Sequence, residues 1–330
     1  MIRTISRTQY LIIAIVAITS VGLIVGAFVG LKHWEDSQGQ FEEQMDFGEE
    51  FITYEGEDYV LKSNIETFLL IGLDTSSTVE SLESYNNNKR ADFFMLFIFD
   101  NDAKQYTAIH INRDAMTNMN LLGVAGNKVG TVFKQIALSH TYGNGKDISC
   151  QNTANAVSNL LMGIKVNHYA SITMDSVAVA NDLVGGVEVE VLDDFTGIDD
   201  SLVKGQTVLL KGKQALTYVQ TRKDLEDSSN STRMNRQQQY IKALYAAFNK
   251  CVESDENFIV DASLKMSEYM ISDRSVTQMQ ALADKFSGYT FTGIESLVGE
   301  NVVGEEFMEF YPDKDAVEKM IIKLFYIPKE

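Results

Sequence analysis

The stretch from Phe68 to Asp114 constrains the fold most, because it alternates short apolar runs with polar turns. Apolar residues fill positions 68–73 and 93–99, and apolar and polar residues alternate over 105–111. Runs of this kind, bounded by turn residues, are typical of β-strands. The turn 100–104 is short enough to join the second and third runs as a hairpin. If the first two strands are also antiparallel, one edge of one sheet collects Asp74, Arg90, Asp92, Arg113 and Asp114.

The charged residues at this edge indicate a magnesium and phosphate site. Mg²⁺ is usually bound by one or two carboxylates together with substrate phosphates, and Asp74 and Asp92 are the candidate ligands. The alternative for these two residues is the common role of aspartate in turns at strand ends. Asp114 either joins such a site or forms a salt bridge that orients an arginine.

The positions of the arginines also indicate recognition of phosphate. Beyond the apolar N-terminal segment the chain has six arginines, and the first five border the predicted strand edge or a helix start: Arg90, Arg113, Arg222, Arg233, Arg236 and Arg274. Arginine binds phosphate or carboxylate through two parallel hydrogen bonds, which a lysine ammonium does not provide. The alternative is that each arginine pairs with a nearby surface acid. Taken together, their placement in a chain that otherwise prefers lysine favours a binding site.

A long helix is predicted to begin after Thr232, its N-cap, and to run to about Lys250, because apolar residues recur there at helical spacing. Arg233, Arg236 and Gln237 then lie on one face of its first turns. A helix N-terminus already favours anions, and these side chains add directed hydrogen-bond donors. The helix start is therefore predicted to contribute to the phosphate site.

The remaining pattern indicates an α/β fold, with a mixed central β-sheet flanked by helices. The predicted helix 176–184 precedes a glycine pair and the predicted strand 187–192, an order typical of α/β layers. We predict a loop or short hairpin over 117–130 and a short helix over 131–140. Residues 251–330 carry no catalytic motif and are assigned as a C-terminal extension of unknown role.

The N-terminal region predicts a membrane anchor. Residues 10–31 contain no charged side chain and are long enough to cross a bilayer as a helix. Arg3 and Arg7 precede them and acidic residues follow, so residues 1–9 are predicted to be cytoplasmic and the bulk of the chain extracellular. Residues 32–63 are predicted to form a stalk and a lead-in strand. A cleaved signal peptide is the alternative, but the apolar run is longer than is usual for one and no clear cleavage site follows.

The net charge limits the partners that the chain can bind. The full sequence carries a formal charge of −18, from 28 basic and 46 acidic residues. A surface this acidic disfavours binding to nucleic acid, so an anionic ligand requires a local basic pocket. The two cysteines, Cys150 and Cys251, lack the spacing of metal ligands. On the outer side of a membrane they either form one disulfide or are two separate buried thiols.

Several linked motifs in a fixed order resemble the LytR–CpsA–Psr (LCP) family. They are Leu69-Leu-Ile-Gly-Leu-Asp74, Arg90-Ala-Asp92, Ile111-Asn-Arg-Asp114, Leu138-Ser-His-Thr-Tyr-Gly143, Asn159-Leu-Leu-Met-Gly-Ile164, Leu183-Val-Gly-Gly-Val187, Gln214-Ala-Leu-Thr-Tyr-Val-Gln-Thr-Arg-Lys223 and Arg233-Met-Asn-Arg-Gln-Gln238. The resemblance covers about residues 64–250, which are assigned as an LCP-like catalytic domain. The predicted membrane topology agrees with it.

The resemblance implies a phosphotransferase on the outer face of the bacterial membrane, mostly in Gram-positive bacteria. Such proteins move glycopolymers such as teichoic acid or capsule from a polyprenyl-pyrophosphate carrier to peptidoglycan. By resemblance, Asp74 and Asp92 hold Mg²⁺, and the polyprenyl chain lies in an apolar tunnel between sheet and helices. The implied pyrophosphate ligands are Arg90, Arg113, Arg222, Arg233 and Gln237, with Arg236 in support. A sugar hydroxyl attacks the phosphorus, and Arg113 and Asp114 are the candidate catalytic residues, with Asp114 either accepting the proton or orienting Arg113.

Three departures from the family pattern keep other functions open. Gln220 stands where many members have arginine, and Asn112 stands where they often have proline. The lead-in to Arg233, which is glycine-rich in the family, is Ser228-Ser-Asn-Ser-Thr232 here. Losing a charged hydrogen-bond donor typically costs about 1.5–3 kcal/mol. One alternative is a non-catalytic, regulatory envelope protein that binds lipid pyrophosphate. The other is a lipid pyrophosphatase, in which water replaces the sugar hydroxyl.

Overall fold

A computed structural model describes residues 50–75, 89–123, 125–222, 225, 230–255, 258–286, 288–305 and 307–329. The predicted cytoplasmic tail, the predicted span 10–31 and most of the predicted stalk lie outside these residues. Among the helices that are described, none is both long and apolar enough to cross a membrane.

The strands and helices alternate along much of the chain. In chain order the strands are β1 (Phe51–Tyr54), β2 (Glu57–Leu61), β3 (Ile65–Leu73), β4 (Ala91–Asp100), β5 (Gln105–Ile111), β6 (Met116–Leu122), β7 (Lys128–Gln135), β8 (His168–Thr173), β9 (Val187–Glu190), β10 (Thr207–Leu210), β11 (Met270–Ser272), β12 (Thr290–Ser296), β13 (Gly299–Val303), β14 (Met308–Pro312) and β15 (Tyr326–Pro328). The α-helices are α1 (Asp147–Leu160), α2 (Asp175–Leu183), α3 (Lys213–Gln220), α4 (Asn230–Ser254), α5 (Phe258–Met266), α6 (Val276–Phe286) and α7 (Lys314–Phe325). Short 3₁₀ turns cover Ile136–Thr141 and Ser267–Tyr269.

A mixed six-stranded sheet forms the centre of the molecule, in the order β11-β8-β3-β4-β5-β12. Strand β4 runs antiparallel to both β3 and β5. This confirms the predicted hairpin and meets the condition under which the charged residues gather at one edge. Strand β8 runs parallel to β3, and β12 runs parallel to β5. The C-terminal ends of β3, β5 and β8 and the start of β4 therefore share one end of the sheet, where the charged motifs lie.

Alternation along the strands gives the sheet two apolar faces. One face, with Leu69, Ile71 and Phe94, packs in a core that includes residues of α1 and α7. The other face, with Leu70 and Met95, packs in a second cluster that includes residues of α6. A third cluster joins α2, α3, α4 and α5 to the small β9–β10 sheet. Helices thus flank the central sheet, as predicted.

The segment 251–330 contributes to the same sheet. Strand β11 occupies one edge beside β8, and β12 occupies the other edge beside β5. Strand β15 pairs with β2, and Ile321 and Phe325 of α7 are buried in the core beneath the sheet. These contacts give the segment a structural role that its sequence did not reveal.

Two local predictions were wrong. Residues 131–135 continue β7, paired with β6, and only the 3₁₀ turn after them is helical. Thr131, Val132 and Phe133 are β-branched or aromatic residues that suit a strand once a partner strand is available. Helix α4 already includes Thr232 because it starts at Asn230.

Candidate functional site

Asp92 and Arg113 form the centre of a charged cluster at the end of the sheet. The Arg113 Nη1 atom lies 2.5 Å from the Asp92 Oδ2 atom, and Arg233 Nη1 lies 3.5 Å from the same oxygen. Strand β4 positions Asp92 near its start, the turn after β5 positions Arg113, and the first turn of α4 positions Arg233. The register of β3, β4 and β5 therefore brings together residues that are far apart in sequence.

Asp114 connects this pair to a third arginine. Its Oδ2 atom lies 3.2 Å from Arg222 Nη1, and its Oδ1 atom lies 3.6 Å from Arg113 Nε. The Gln135 amide also donates to Oδ1 at 3.3 Å. Asp114 is 3% exposed, so these contacts are formed away from bulk water. The predicted catalytic residues, Arg113 and Asp114, thus form one continuous network with the predicted phosphate ligands Arg222 and Arg233.

Two asparagines that the sequence analysis did not assign hold the start of α4 against this network. The Asn230 amide donates to Asn112 Oδ1 at 2.6 Å, and the Asp114 backbone N–H donates to the same oxygen at 2.9 Å. Arg233 in turn donates to Asn230 Oδ1. Asn112, noted in the sequence as a departure from proline, therefore fixes the spacing between the β5 turn and the helix.

Arg236 lies away from the cluster, although it is one turn from Arg233. Its guanidinium is fully buried and donates to the carbonyls of Tyr218 and Thr221 and to Asp193. Arg236 therefore does not reach the cluster itself, because its nitrogens are used within the protein. Its contacts hold the backbone just before Arg222, which fits the supporting role. Gln237 is buried and donates to the Val219 carbonyl at 3.2 Å.

Arg90 and Asp74 lie at the outer side of the cluster. Both are exposed, and the Arg90 guanidinium lies 5.7 Å from the centre of the Phe307 ring. Desolvation and the neighbouring Asp92 carboxylate raise the pKa of Asp74, while Arg113, Arg90 and Arg233 oppose the shift. The electrostatic coupling indicates that Asp74, Asp92 and these arginines share one site.

Burial sets the protonation behaviour of the inner residues. Desolvation raises the pKa of Asp114 above its ordinary value, against the opposing effect of Arg113 and Arg222. Desolvation also lowers the pKa of Arg233 to about 10, an effect that Asp92 opposes and Arg113 reinforces. Arg233 stays charged at neutral pH. The cluster therefore presents several cations to an anionic ligand in a partly desolvated setting, where electrostatic attraction is stronger than in water.

The carboxylates also fit a magnesium ion. The Asp92 Oδ1 atom is buried and has no hydrogen-bond partner among the described residues. Leu73 of β3 pairs with Ala91 of β4, and the Asp74 backbone N–H donates to the Arg90 carbonyl at 2.7 Å, so Asp74 and Asp92 lie at the same end of neighbouring strands. No group of three or more metal-binding side chains occurs among the residues described, so further ligands would be water and phosphate oxygens.

An apolar cavity leads to the cluster from one face of the sheet. It encloses about 1010 Å³ of atom-free space, part of which is open to solvent. Its walls are residues of β3, β4 and β8 on one side and of α2, α3, α4 and α5 on the other, including Leu70, Met95, Ile172, Val177, Ala180, Leu216, Ile241, Leu244 and Met266. Two charged residues, Asp92 and Arg233, also line it, together with polar residues that include Gln220 and Gln237. Such a cavity suits a long apolar chain with an anionic head.

The two cysteines do not take part in this site. Both are free thiols, Cys150 buried in the core and Cys251 partly buried on α4. Of the two arrangements left open by the sequence, the structure has separate thiols.

Comparisons with known proteins agree with the fold and the motifs. The model of the LytR_cpsA_psr family matches residues 35–324. The chain is 26% identical over 256 residues to the polyisoprenyl-teichoic acid–peptidoglycan teichoic acid transferase TagV of Bacillus subtilis, which covers 73% of this chain and 61% of TagV. It is 25% identical over 237 residues to the transferase TagU of Halalkalibacterium halodurans, covering 69% of this chain and 71% of TagU. The chain thus spans less than two thirds of TagV.

Solved structures share the same fold. The crystal structure of TagV from B. subtilis superposes with a TM-score of 0.59 at 23% identity, covering 80% of this chain and 97% of the chain in that structure. The structure of TagT bound to LI-WTA superposes with a TM-score of 0.57 at 19% identity, covering 79% and 90%. Since the family model matches most of the sequence and these structures share its architecture, the chain belongs to the LytR–CpsA–Psr family.

Proposed function

We propose that this protein transfers a glycopolymer, with one phosphate, from a polyprenyl-pyrophosphate carrier to peptidoglycan. The observation that carries the proposal is the apolar cavity lined in part by Asp92 and Arg233, beside Arg113 and Arg222. A lipid pyrophosphate has this combination of a long apolar chain and an anionic head. The names of TagV and TagU, which are transferases of teichoic acid to peptidoglycan, support the same reaction class.

The reaction requires charge neutralisation and alignment more than a protein nucleophile. A hydroxyl oxygen of the acceptor sugar forms a bond to the phosphorus that carries the glycopolymer. The bond from this phosphorus to the bridging oxygen breaks, and the lipid monophosphate leaves. Arg113, Arg222 and Arg233 bind the phosphoryl oxygens, on which negative charge develops. Asp114 takes the hydroxyl proton, a role for which its raised pKa and its place beside Arg113 are suitable.

Asp74 and Asp92 would hold a Mg²⁺ ion, which when bound supplies further neutralisation of the pyrophosphate charge. In its absence these carboxylates repel the anionic substrate, so chelation of divalent cations with EDTA should weaken donor binding as well as turnover. Gln220 lines the cavity and supplies a neutral amide where many relatives have a guanidinium. Anchoring through residues 10–31 at the outer face of the membrane is part of the proposal and rests on the sequence.

The test uses the full-length chain in detergent micelles with a short-chain polyprenyl-pyrophosphate glycan, peptidoglycan oligosaccharides and Mg²⁺. Mass spectrometry would detect the phosphodiester-linked product. We expect product from the unchanged protein and none from Arg113→Ala. Arg274→Ala is the matched control, because Arg274 contacts His168 and not the charged cluster.

The other outcomes identify the alternatives. Lipid monophosphate together with unlinked glycan phosphate would show a pyrophosphatase and contradict the transfer. Tight binding of the donor without any product, in an assay where TagV forms product, would show a binding protein. Gln220 is the observation that gives the binding protein weight, since it removes a cation from the cavity mouth.

A further inference from the structure

An aromatic surface lies on two exposed hairpins beside the charged cluster. Phe307, directly before β14, is 50% exposed, and Tyr311, within β14, is 39% exposed. Phe133 of β7 is 51% exposed. The rings of Phe133 and Tyr311 have their centres 6.5 Å apart. Rings of this size are usually buried, so a group of exposed ones beside a reactive site indicates a binding surface.

Hydrogen bonds join this surface to the catalytic residues. The backbone N–H of Phe310 donates to the Asp114 carbonyl at 2.9 Å. The Gln135 amide donates to the Met308 carbonyl at 2.5 Å and also to the Asp114 carboxylate. Arg90, at the outer side of the cluster, lies 5.7 Å from the centre of the Phe307 ring. Strand β14 is therefore held directly against the residues that position the reacting phosphorus.

The surface and the apolar cavity are on opposite faces of the central sheet. The cavity is lined by residues such as Leu70 and Met95, which face one core, and β6, β7, β13 and β14 contribute none of its lining. Phe310 of β14 is buried in the core on the other face. In phosphoryl transfer the attacking and leaving oxygens lie roughly in line on opposite sides of the phosphorus. If the lipid phosphate leaves toward the cavity, the acceptor hydroxyl must approach from the side of β14.

The chemistry of the surface suits a saccharide. Aromatic rings stack on the C–H faces of sugars, and the Tyr311 hydroxyl and the Glu309 carboxylate, 2.7 Å apart, can bond sugar hydroxyls. Outward positions 307 and 311 are separated by about 13 Å along an extended strand, a length that suits a short run of sugar rings. Glu300, Glu305 and Glu309 make the hairpin acidic, which disfavours an anionic lipid surface.

We propose that Phe133, Phe307 and Tyr311 form the subsite that binds the glycan strand of the acceptor. This assignment rests on the proposed transferase function, but glycan binding by the surface is measurable without turnover. Phe307 orients the strand next to Arg90, and Tyr311 and Phe133 hold the sugars further along. The subsite thereby directs an acceptor hydroxyl toward the phosphorus held by Arg113.

The experiment measures the affinity of the full-length chain in micelles for a soluble, uncrosslinked peptidoglycan oligosaccharide by isothermal titration calorimetry. The variants are Phe307→Ala and Tyr311→Ala, alone and combined. We expect the double variant to bind the glycan about tenfold more weakly, with unchanged affinity for the short-chain lipid donor. Phe307→Trp keeps a stacking ring and should keep the affinity. Phe51→Ala is the matched control, since Phe51 is also 50% exposed but lies on β1.

Each further outcome decides against the subsite or separates it from the proposed reaction. An unchanged protein that does not bind the glycan, or alanine variants that bind it equally well, would overturn the subsite. Glycan binding that depends on Phe307 and Tyr311, without transfer by any form of the protein, would keep the subsite and refute the transferase. If the variants bind glycan normally but lose turnover only with a long-chain donor in membrane vesicles, the surface docks on lipid and the inference is wrong.

Discussion

Arg113 has the central position in the charged cluster, because its guanidinium contacts Asp92 and Asp114 from two different nitrogens. Arg113→Lys keeps the charge but loses the planar fork that can hold a carboxylate and a phosphoryl oxygen together. We expect the turnover number to fall by about a hundredfold or more, the usual effect of removing one transition-state donor. The measurement is the initial rate of phosphodiester product at saturating donor. Arg274→Lys should change it little, and a normal rate for Arg113→Lys would contradict a catalytic role.

Asp114 gives the proposed transfer reaction a predictable pH dependence. Burial raises its pKa, against the effect of Arg113 and Arg222, so the carboxylate becomes protonated at a higher pH than an ordinary aspartate. Since only the ionised form accepts a proton, the rate should fall as the pH is lowered through this raised pKa. Asp114→Asn should be slow and should lose this acidic limb, whereas Asp114→Glu should retain it. A full acidic limb in Asp114→Asn would assign the proton acceptor to another group.

At the residue scale the sequence predicts charged ligands better than their neutral neighbours. Strand direction alone predicted that Asp92, Arg113 and Asp114 meet at one end of the sheet, and they do. Arg222 and Arg233 were assigned from the placement of the arginines and from the family resemblance, and both contact these carboxylates. The positions of Asn112, Asn230 and Gln135 depend on how β7 and α4 approach the turn after β5. Amide side chains carry no charge pattern that shows such contacts in advance.

At the scale of elements, helix α4 shows where spacing alone is insufficient. Arg233 and Arg236 are three residues apart and were predicted to share one face. Arg233 reaches the cluster, but Arg236 is buried against the end of α3, where it donates to Tyr218 and Thr221. Only the packing of α3 against α4 separates these two roles.

This packing predicts a stability effect. Arg236→Met removes the buried guanidinium together with its hydrogen bonds. The Tyr218 and Thr221 carbonyls and the Asp193 carboxylate then lose this donor. We expect the free energy of unfolding to fall by at least about 2 kcal/mol. Urea denaturation followed by circular dichroism measures the change. Lys242→Met, an exposed position on the same helix, is the control, and equal stability of the two variants would contradict the positioning role.

The apolar cavity predicts selectivity for the length of the lipid chain. Val177→Phe adds a ring to the α2 wall and reduces the space available to the chain. The rate with a long polyprenyl donor should fall several times more than the rate with a short one, because a longer chain fills more of the cavity and has more apolar contact to lose. Ala246→Phe, on the exposed side of α4, should leave the ratio of the two rates unchanged. An equal effect on both donors would show that the chain does not lie in the cavity.

The strands of the central sheet were predictable to different degrees. Continuous apolar runs identified β3 and β4, and their charged ends located the site. Strands β11 and β12 were not predicted. Both are edge strands, and their partners β8 and β5 lie far earlier in the sequence. Their partly exposed residues lack the continuous apolar pattern of a central strand.

At the scale of the whole molecule, a second charged group ties the strands together at the end of the sheet opposite the site. His168, at the start of β8, lies 3.4 Å from the Glu66 carboxylate of β3 and 3.2 Å from the Asp273 carboxylate that follows β11. Arg274 lies beside the same ring, and Lys285 of α6 pairs with Glu66. His168 thus connects the edge strand β11, which belongs to the segment 251–330, to β3, which lies much earlier in the sequence.

This connection predicts how stability depends on pH. Burial and Arg274 disfavour the charged ring, but the hydrogen bonds to Asp273 and Glu66 outweigh them and raise the pKa of His168. A raised folded-state pKa contributes stability that is fully present below the unfolded pKa of about 6.5 and is lost as the pH rises through the folded value. The free energy of unfolding should therefore be higher for the unchanged protein than for His168→Gln. This difference should be larger at about pH 5.5 than at about pH 8.5. Urea denaturation at both pH values measures this difference. A difference that grows with pH would show that His168 is neutral in the folded protein and joins the strands only through hydrogen bonds.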